Sequence, residues 1–113
     1  YAHEKIPSSA ETPRLKIENV TITQDRVVAN VFNKRGFDRT DVFIEIGEFA
    51  LHAAPDFQIN ENDKTHAIVV MPIPQDIQDE FKNNGPDIAY QGHTIRVTVT
   101  DGRFAVEQVI DMD

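Results

Sequence analysis

Short runs with an apolar residue at every second position, separated by glycine, proline or Asn/Asp-rich breaks, recur from Leu15 to the end of the chain. A two-residue period puts alternate side chains on opposite faces of a strand, so these runs can bury one face of a sheet but cannot build the apolar stripe of a helix. The clearest pair comes last. Ile95, Val97 and Val99 alternate with Arg96, Thr98 and Thr100, Asp101-Gly102 follows, and the alternation resumes from Arg103 to Ile110. Asp-Gly between two such runs predicts a β-hairpin with a type I′ turn, both central residues at positive φ. The segment His93 to Ile110 is therefore expected to be scaffold, and function is expected in the loops and edges it supports.

The preceding runs extend the pattern. Leu15 and Ile17 are odd-numbered whereas Val20 and Ile22 are even, so the inward phase changes near Asn19, which predicts a β-bulge or a switch of sheet there. Arg26 to Asn33 and Thr65 to Met71 carry apolar residues in both phases and read as central strands. Val42, Ile44 and Ile46 alternate cleanly. After Gly47-Glu48, Phe49, Leu51 and Ala53 keep the period up to Pro55, which predicts a second hairpin ending at an edge. Phe57 and Ile59 continue it, and Ile88 with Tyr90 suggest a further short strand. The one helical pattern is Pro74 to Lys82, with Ile73, Ile77 and Phe81 four apart and Asn83-Asn84-Gly85-Pro86 as a stop. Residues Tyr1 to Pro13 show no apolar period and read as a flexible lead-in, leaving 14–113 as a single domain.

Seven or eight short strands with one connector helix resemble an immunoglobulin-like or fibronectin-III-like antiparallel β-sandwich, a likeness of pattern running from Leu15 to Ile110. The chain departs from antibody-type domains in having no cysteine and no tryptophan. A sandwich of this class implies binding or adhesion without naming a ligand. The expectation is a non-enzymatic protein-binding or structural module of a periplasmic or extracellular bacterial protein. Its partner would be a protein or a neighbouring domain, and an exposed edge strand would offer a route to a homo-oligomer.

Charge narrows the partners. The net charge of -8 is unevenly spread, since the chain up to Gly36 carries a small basic surplus and everything after it is acidic. An acidic body repels phosphate backbones, and Lys34, Arg35 and Arg39 are a small patch, so nucleic acid is not expected as a partner. No apolar run approaches the roughly 20 residues of a membrane helix. Opening on Tyr1, the chain reads as a mature or excised piece.

The candidate partner surface is the connector holding Arg35, Phe37 and Arg39, because Phe37 stands among charged residues and glycine with no periodic reason for burial. The competing reading folds this ring over the end of the core. For metals, Asp56, Asn60, Glu61, Asn62 and Asp63 bring hard oxygen donors to one loop, a candidate Ca²⁺ set without the EF-hand spacing. Tyr1-Ala2-His3 would offer Cu²⁺ an amine, two amides and an imidazole if Tyr1 carried a free amine. Both patterns also occur as ordinary solvated segments, and the expectation is that no cofactor is required. His52, His66 and His93 fall in strand-like runs, and their phases do not bring His52 and His93 together. For catalysis, the serines are confined to Ser8 and Ser9 in the lead-in, and the paired carboxylates lie in polar connectors rather than a cleft able to shift a pKa. The first rival to a binding module is a metal-binding envelope protein, taking Ca²⁺ or Cu²⁺ through these residues, and the second is an accessory subunit or small enzyme acting on carbohydrate or peptide.

Overall fold

A computed structural model describes residues 14–52, 54–81, 90, 92–102 and 104–112. In chain order its elements are β1 Leu15–Ile22, β2 Arg26–Asn33, β3 Thr40–Ile46, β4 Phe49–Ala50, β5 Asp56–Ile59, β6 His66–Pro72, α1 Gln75–Phe81, β7 His93–Asp101 and β8 Phe104–Met112. The strands form two antiparallel four-stranded sheets, ordered β1-β2-β6-β5 and β4-β3-β7-β8. β2 and β6, whose sequences are apolar in both phases, are the central strands of the first sheet. Residues 1–13 and Ile88 lie outside the described residues, and Tyr90 sits in a turn.

The two inner faces meet in one buried cluster, to which β2 contributes Val27, Ala29 and Val31, β3 contributes Val42, Ile44 and Ile46, and β7 contributes Ile95, Val97 and Val99. This arrangement is consistent with a β-sandwich. Each fully buried Val, Leu or Ile side chain adds about 1.5–3 kcal/mol of transfer free energy, offset by lost chain entropy. Ile73, Ile77 and Phe81 are all buried, so α1 closes one end of the core through its spacing of four. Phe81 lies 5.2 Å from Tyr90 and 4.7 Å from His93, ring centroid to centroid. The Tyr90 hydroxyl donates to the Gln24 carbonyl at 2.5 Å and ties this end to the β1–β2 turn.

The phase change in the first strand is a bulge. Ile17 pairs with Val31 but Asn19 pairs with Asn30, so Glu18 is the extra residue and the inward set moves from Leu15 and Ile17 to Val20 and Ile22.

Two local expectations need correction. The turn of the final hairpin is displaced by one position from the one Asp-Gly implies: Asp101 pairs with Phe104, leaving Gly102 as the first loop residue at φ +59°. Among the described residues only glycines have positive φ, so Asp101 ends the strand instead of sharing the turn. The run Phe49 to Ala53 is not a full strand either, since β4 stops at Ala50. Leu51 turns into the core, 6% exposed, with its N–H donating to the Ile44 carbonyl at 2.8 Å. Ala53 lies outside the described residues.

Candidate functional site

The inward phase of β2 ends on a polar residue, Asn33, which is fully buried. Its amide is a three-way junction. Nδ2 donates to Thr40 Oγ1 at 3.0 Å and to Asp101 Oδ2 at 2.9 Å, while Oδ1 accepts from the Arg35 N–H at 2.9 Å. One side chain thus joins the end of β2, the start of β3 and the end of β7. A buried amide satisfied on both sides holds its neighbours in one geometry, because any rearrangement strands a donor or acceptor away from water.

Around this junction the connector 34–39 folds tightly. The Gly36 N–H donates to the Asn33 carbonyl at 3.0 Å, and Gly36 takes φ +85°, a region where a Cβ is costly. The Thr40 N–H donates to the Phe37 carbonyl at 3.2 Å. The Lys34 N–H donates to the Arg14 carbonyl at 2.9 Å, drawing the residue before β1 alongside the connector. The guanidinium carbon of Arg14 stands 4.0 Å from the centroid of Phe104, at the start of β8, in a cation–π contact.

These contacts shape an open cleft of about 520 Å³ at the end of the molecule opposite α1, lined by Arg14, Arg35, Gly36, Asp38, Arg39, Asp101, Gly102 and Phe104. Among the described residues three arginines converge on it, in a protein of net charge -8. Arg35 and Arg39 are exposed, and among the described residues no side-chain hydrogen bond or ion pair occupies either guanidinium. Guanidinium groups present a planar fork of donors that matches carboxylates in bidentate fashion and sheds water more readily than an ammonium. The cleft can therefore bind a carboxylate-bearing group, with Phe104 as an apolar wall and Asp38 and Asp101 limiting how many acidic groups it admits.

Of the three connector residues expected to face a partner, Arg35 and Arg39 do line the cleft. Phe37 does not. It is 8% exposed, belongs to the core cluster and lies 6.0 Å from Phe57 ring to ring. Its ring packs into the core beside Phe57, because an apolar side chain beside an open sandwich end gains more from burial than from solvent. Phe104, an aromatic just past the last turn and on that ground a possible contact residue, lines the cleft as well, whereas Arg14 and Asp101 carry no local pattern that marks them. Asn33 did carry a signal, as a polar residue in the inward phase after Val27, Ala29 and Val31.

The oxygen-rich loop after β5 spends its donors and acceptors on itself. Asn60 Oδ1 accepts from the Asn62 N–H at 2.8 Å, and Asp56 Oδ2 accepts from Gln58 Nε2 at 3.3 Å. Asp63 accepts from the Thr65 hydroxyl and N–H and lies 2.6 Å from His66 Nδ1. These bonds, the Thr65 hydroxyl first, hold the Asp63 carboxyl below its ordinary range. Among the described residues no three His, Asp or Glu side chains converge to hold a metal ion. His3 lies outside the described residues. His52 is exposed, His66 is on the outer face of the first sheet and His93 packs on Phe81, so the three histidines do not meet.

Of the four edge strands, β1 and β8 run for eight and nine residues, whereas β4 and β5 are short. β4 pairs with Glu45 and Ile46 of β3, and β5 pairs with four of the seven residues of β6. Phe43 on β3 is 53% exposed.

Comparison with the curated proteins and with the solved structures found no match to this chain. The family described as "Domain of unknown function (DUF8393)" matches residues 5–113, and the chain belongs to that family.

Proposed function

We propose that the protein is an immunoglobulin-like, non-enzymatic binding module of an envelope or extracellular protein, and that its arginine-lined end cleft docks an acidic segment of a protein partner. The strand order supports the immunoglobulin-like reading: β1-β2-β6-β5 against β4-β3-β7-β8 follows the order A-B-E-D against C′-C-F-G. Tyr90, buried just before β7, stands near the place of the corner tyrosine of that class. Its hydroxyl departs from the usual pattern by reaching back to the β1–β2 turn.

The observation that carries the proposal is the convergence of Arg14, Arg35 and Arg39 on one cleft of an otherwise acidic protein, with the guanidinium groups of Arg35 and Arg39 held by no side chain among the described residues. Concentrating positive charge at one end orients an acidic partner during encounter while the rest of the surface repels it. The test is fluorescence anisotropy with a labelled glutamate-rich peptide and its glutamine counterpart. The glutamate peptide should bind, weaken steeply with added salt, and lose about tenfold in affinity, near 1.4 kcal/mol, in the double variant Arg35→Gln, Arg39→Gln. Equal binding of both peptides, or undiminished binding by the double variant, would overturn the proposal.

A further inference from the structure

A second surface, independent of the arginine cleft, lies on the outer face of the first sheet. Strand register sets two rows of side chains across it. One row runs Asn19, Asn30, Ile68, Gln58, since Asn19 pairs with Asn30, Asn30 with Ile68 and Gln58 with Ile68. The next runs Lys16, Phe32, His66 and Asn60, the last placed by its N–H donating to the His66 carbonyl at 2.9 Å. Between the rows is a groove of about 400 Å³, lined by Glu18, Asn30, Gln58, Asn60, His66 and Ile68 together with the buried Ala67.

Three features of this groove point to a ligand. Asn30 sits in the middle of a central strand, where asparagine is disfavoured, and among the described residues its amide has no hydrogen-bond partner. The bulge in β1 puts Glu18 on the rim, 3.4 Å from His66 Nε2, so the groove's carboxylate and imidazole face each other. Ile68, 44% exposed, supplies an apolar floor between the amides of Asn30 and Gln58.

We propose that this groove is a binding subsite for a neutral saccharide. The Asn30 amide offers both donors and an acceptor, and Gln58, which donates once to Asp56, keeps a second N–H and its carbonyl, so each has the same dual capacity as a sugar hydroxyl. The C–H face of a sugar ring would cover Ile68. An anionic ligand would meet Glu18, and an extended peptide would need a strand edge, whereas this surface is a sheet face.

The test is an array of neutral oligosaccharides (α- and β-linked glucans and chitin fragments) with sulfated and sialylated glycans as controls, followed by calorimetry on any glycan bound. Asn30→Val, at a half-buried outward-facing position, and Gln58→Leu, at an exposed one, place side chains that strands accommodate on the sheet's outer face and should melt at or above the wild-type temperature. At least one neutral glycan should bind, with affinity about tenfold lower in each variant and unchanged in Arg35→Gln, Arg39→Gln. Absence of neutral-glycan binding, binding unchanged in either sheet variant, or binding that follows the arginines instead would each refute the proposal.

Discussion

Asn33→Ala removes the junction that shapes the arginine cleft, and its cost can be worked from the contacts. The side chain makes two hydrogen bonds to neutral groups, at Thr40 Oγ1 and the Arg35 N–H, each contributing about 1 kcal/mol, and one to the Asp101 carboxylate contributing about 1.5 kcal/mol or more. Thr40 is 7% exposed and still donates to the Gly36 carbonyl at 3.4 Å, while Asp101 is only half-buried and can recover water. The total expected loss is therefore about 3 kcal/mol. With an unfolding entropy of about 0.24 kcal/mol/K for a chain of this length, the midpoint should fall by about 12 °C. Calorimetry and urea denaturation read this directly, and the acidic peptide should also bind more weakly because Arg35 loses its backbone tether. Asn33→Asp supplies the control. It keeps the acceptor for the Arg35 N–H but sets a carboxylate against Asp101, so burial and repulsion raise its folded pKa. The stability lost at neutral pH should return as pH falls toward the ordinary aspartate value, where the unfolded group also protonates. A loss below about 1 kcal/mol in Asn33→Ala, or no acid recovery in Asn33→Asp, would refute the junction's role.

Further outcomes follow from the same contacts. Phe37→Ala should destabilise by about 3 kcal/mol in urea denaturation, as a core truncation does, so it reports on packing and not on partner contact. Tyr90→Phe leaves the ring packing on Phe81 but removes the bond to Gln24, costing about 1 kcal/mol. Burial, and then the nearby Asp25, raise the Tyr90 pKa above its ordinary value near 10. The stability this contributes is present below that ordinary value and is lost as pH rises through the folded one, so a pH titration of stability should fall less steeply in alkali for Tyr90→Phe. Asp63 behaves oppositely. Its folded pKa is depressed, so its contribution is present above the ordinary value of 3.8 and lost as pH falls through the lower folded value. Asp63→Asn should accordingly flatten the acid limb of the stability profile.

Alternation told which side chains face inward, and the phase change between Ile17 and Val20 pointed to a bulge or a switch of sheet near Asn19; the strand register resolves it as a bulge with Glu18 the extra residue. Beyond the two hairpins, β3–β4 and β7–β8, it did not tell which strands pair, since a buried face fits several neighbours equally well. That is why Arg14 and Phe104 could not be placed beside Arg35 and Arg39: topology brings them together, and no local spacing encodes it. Phe37 failed as an exposed anchor for a related reason. Its neighbours in sequence are charged, but its neighbours in space are Phe57 and the end of the core. The turn at Asp101 shifted by one residue because strand pairing with Phe104 and the Asn33 amide hold Asp101 in the ladder.

The docking of an acidic segment in the arginine cleft is tested most directly by nuclear magnetic resonance, titrating the glutamate-rich peptide into isotope-labelled protein. The account predicts that the largest shift changes fall on the amides of Arg35, Gly36, Arg39 and Gly102, with the outer face of the first sheet unmoved. Changes centred on that face or on the β3 edge, with the cleft silent, would contradict it.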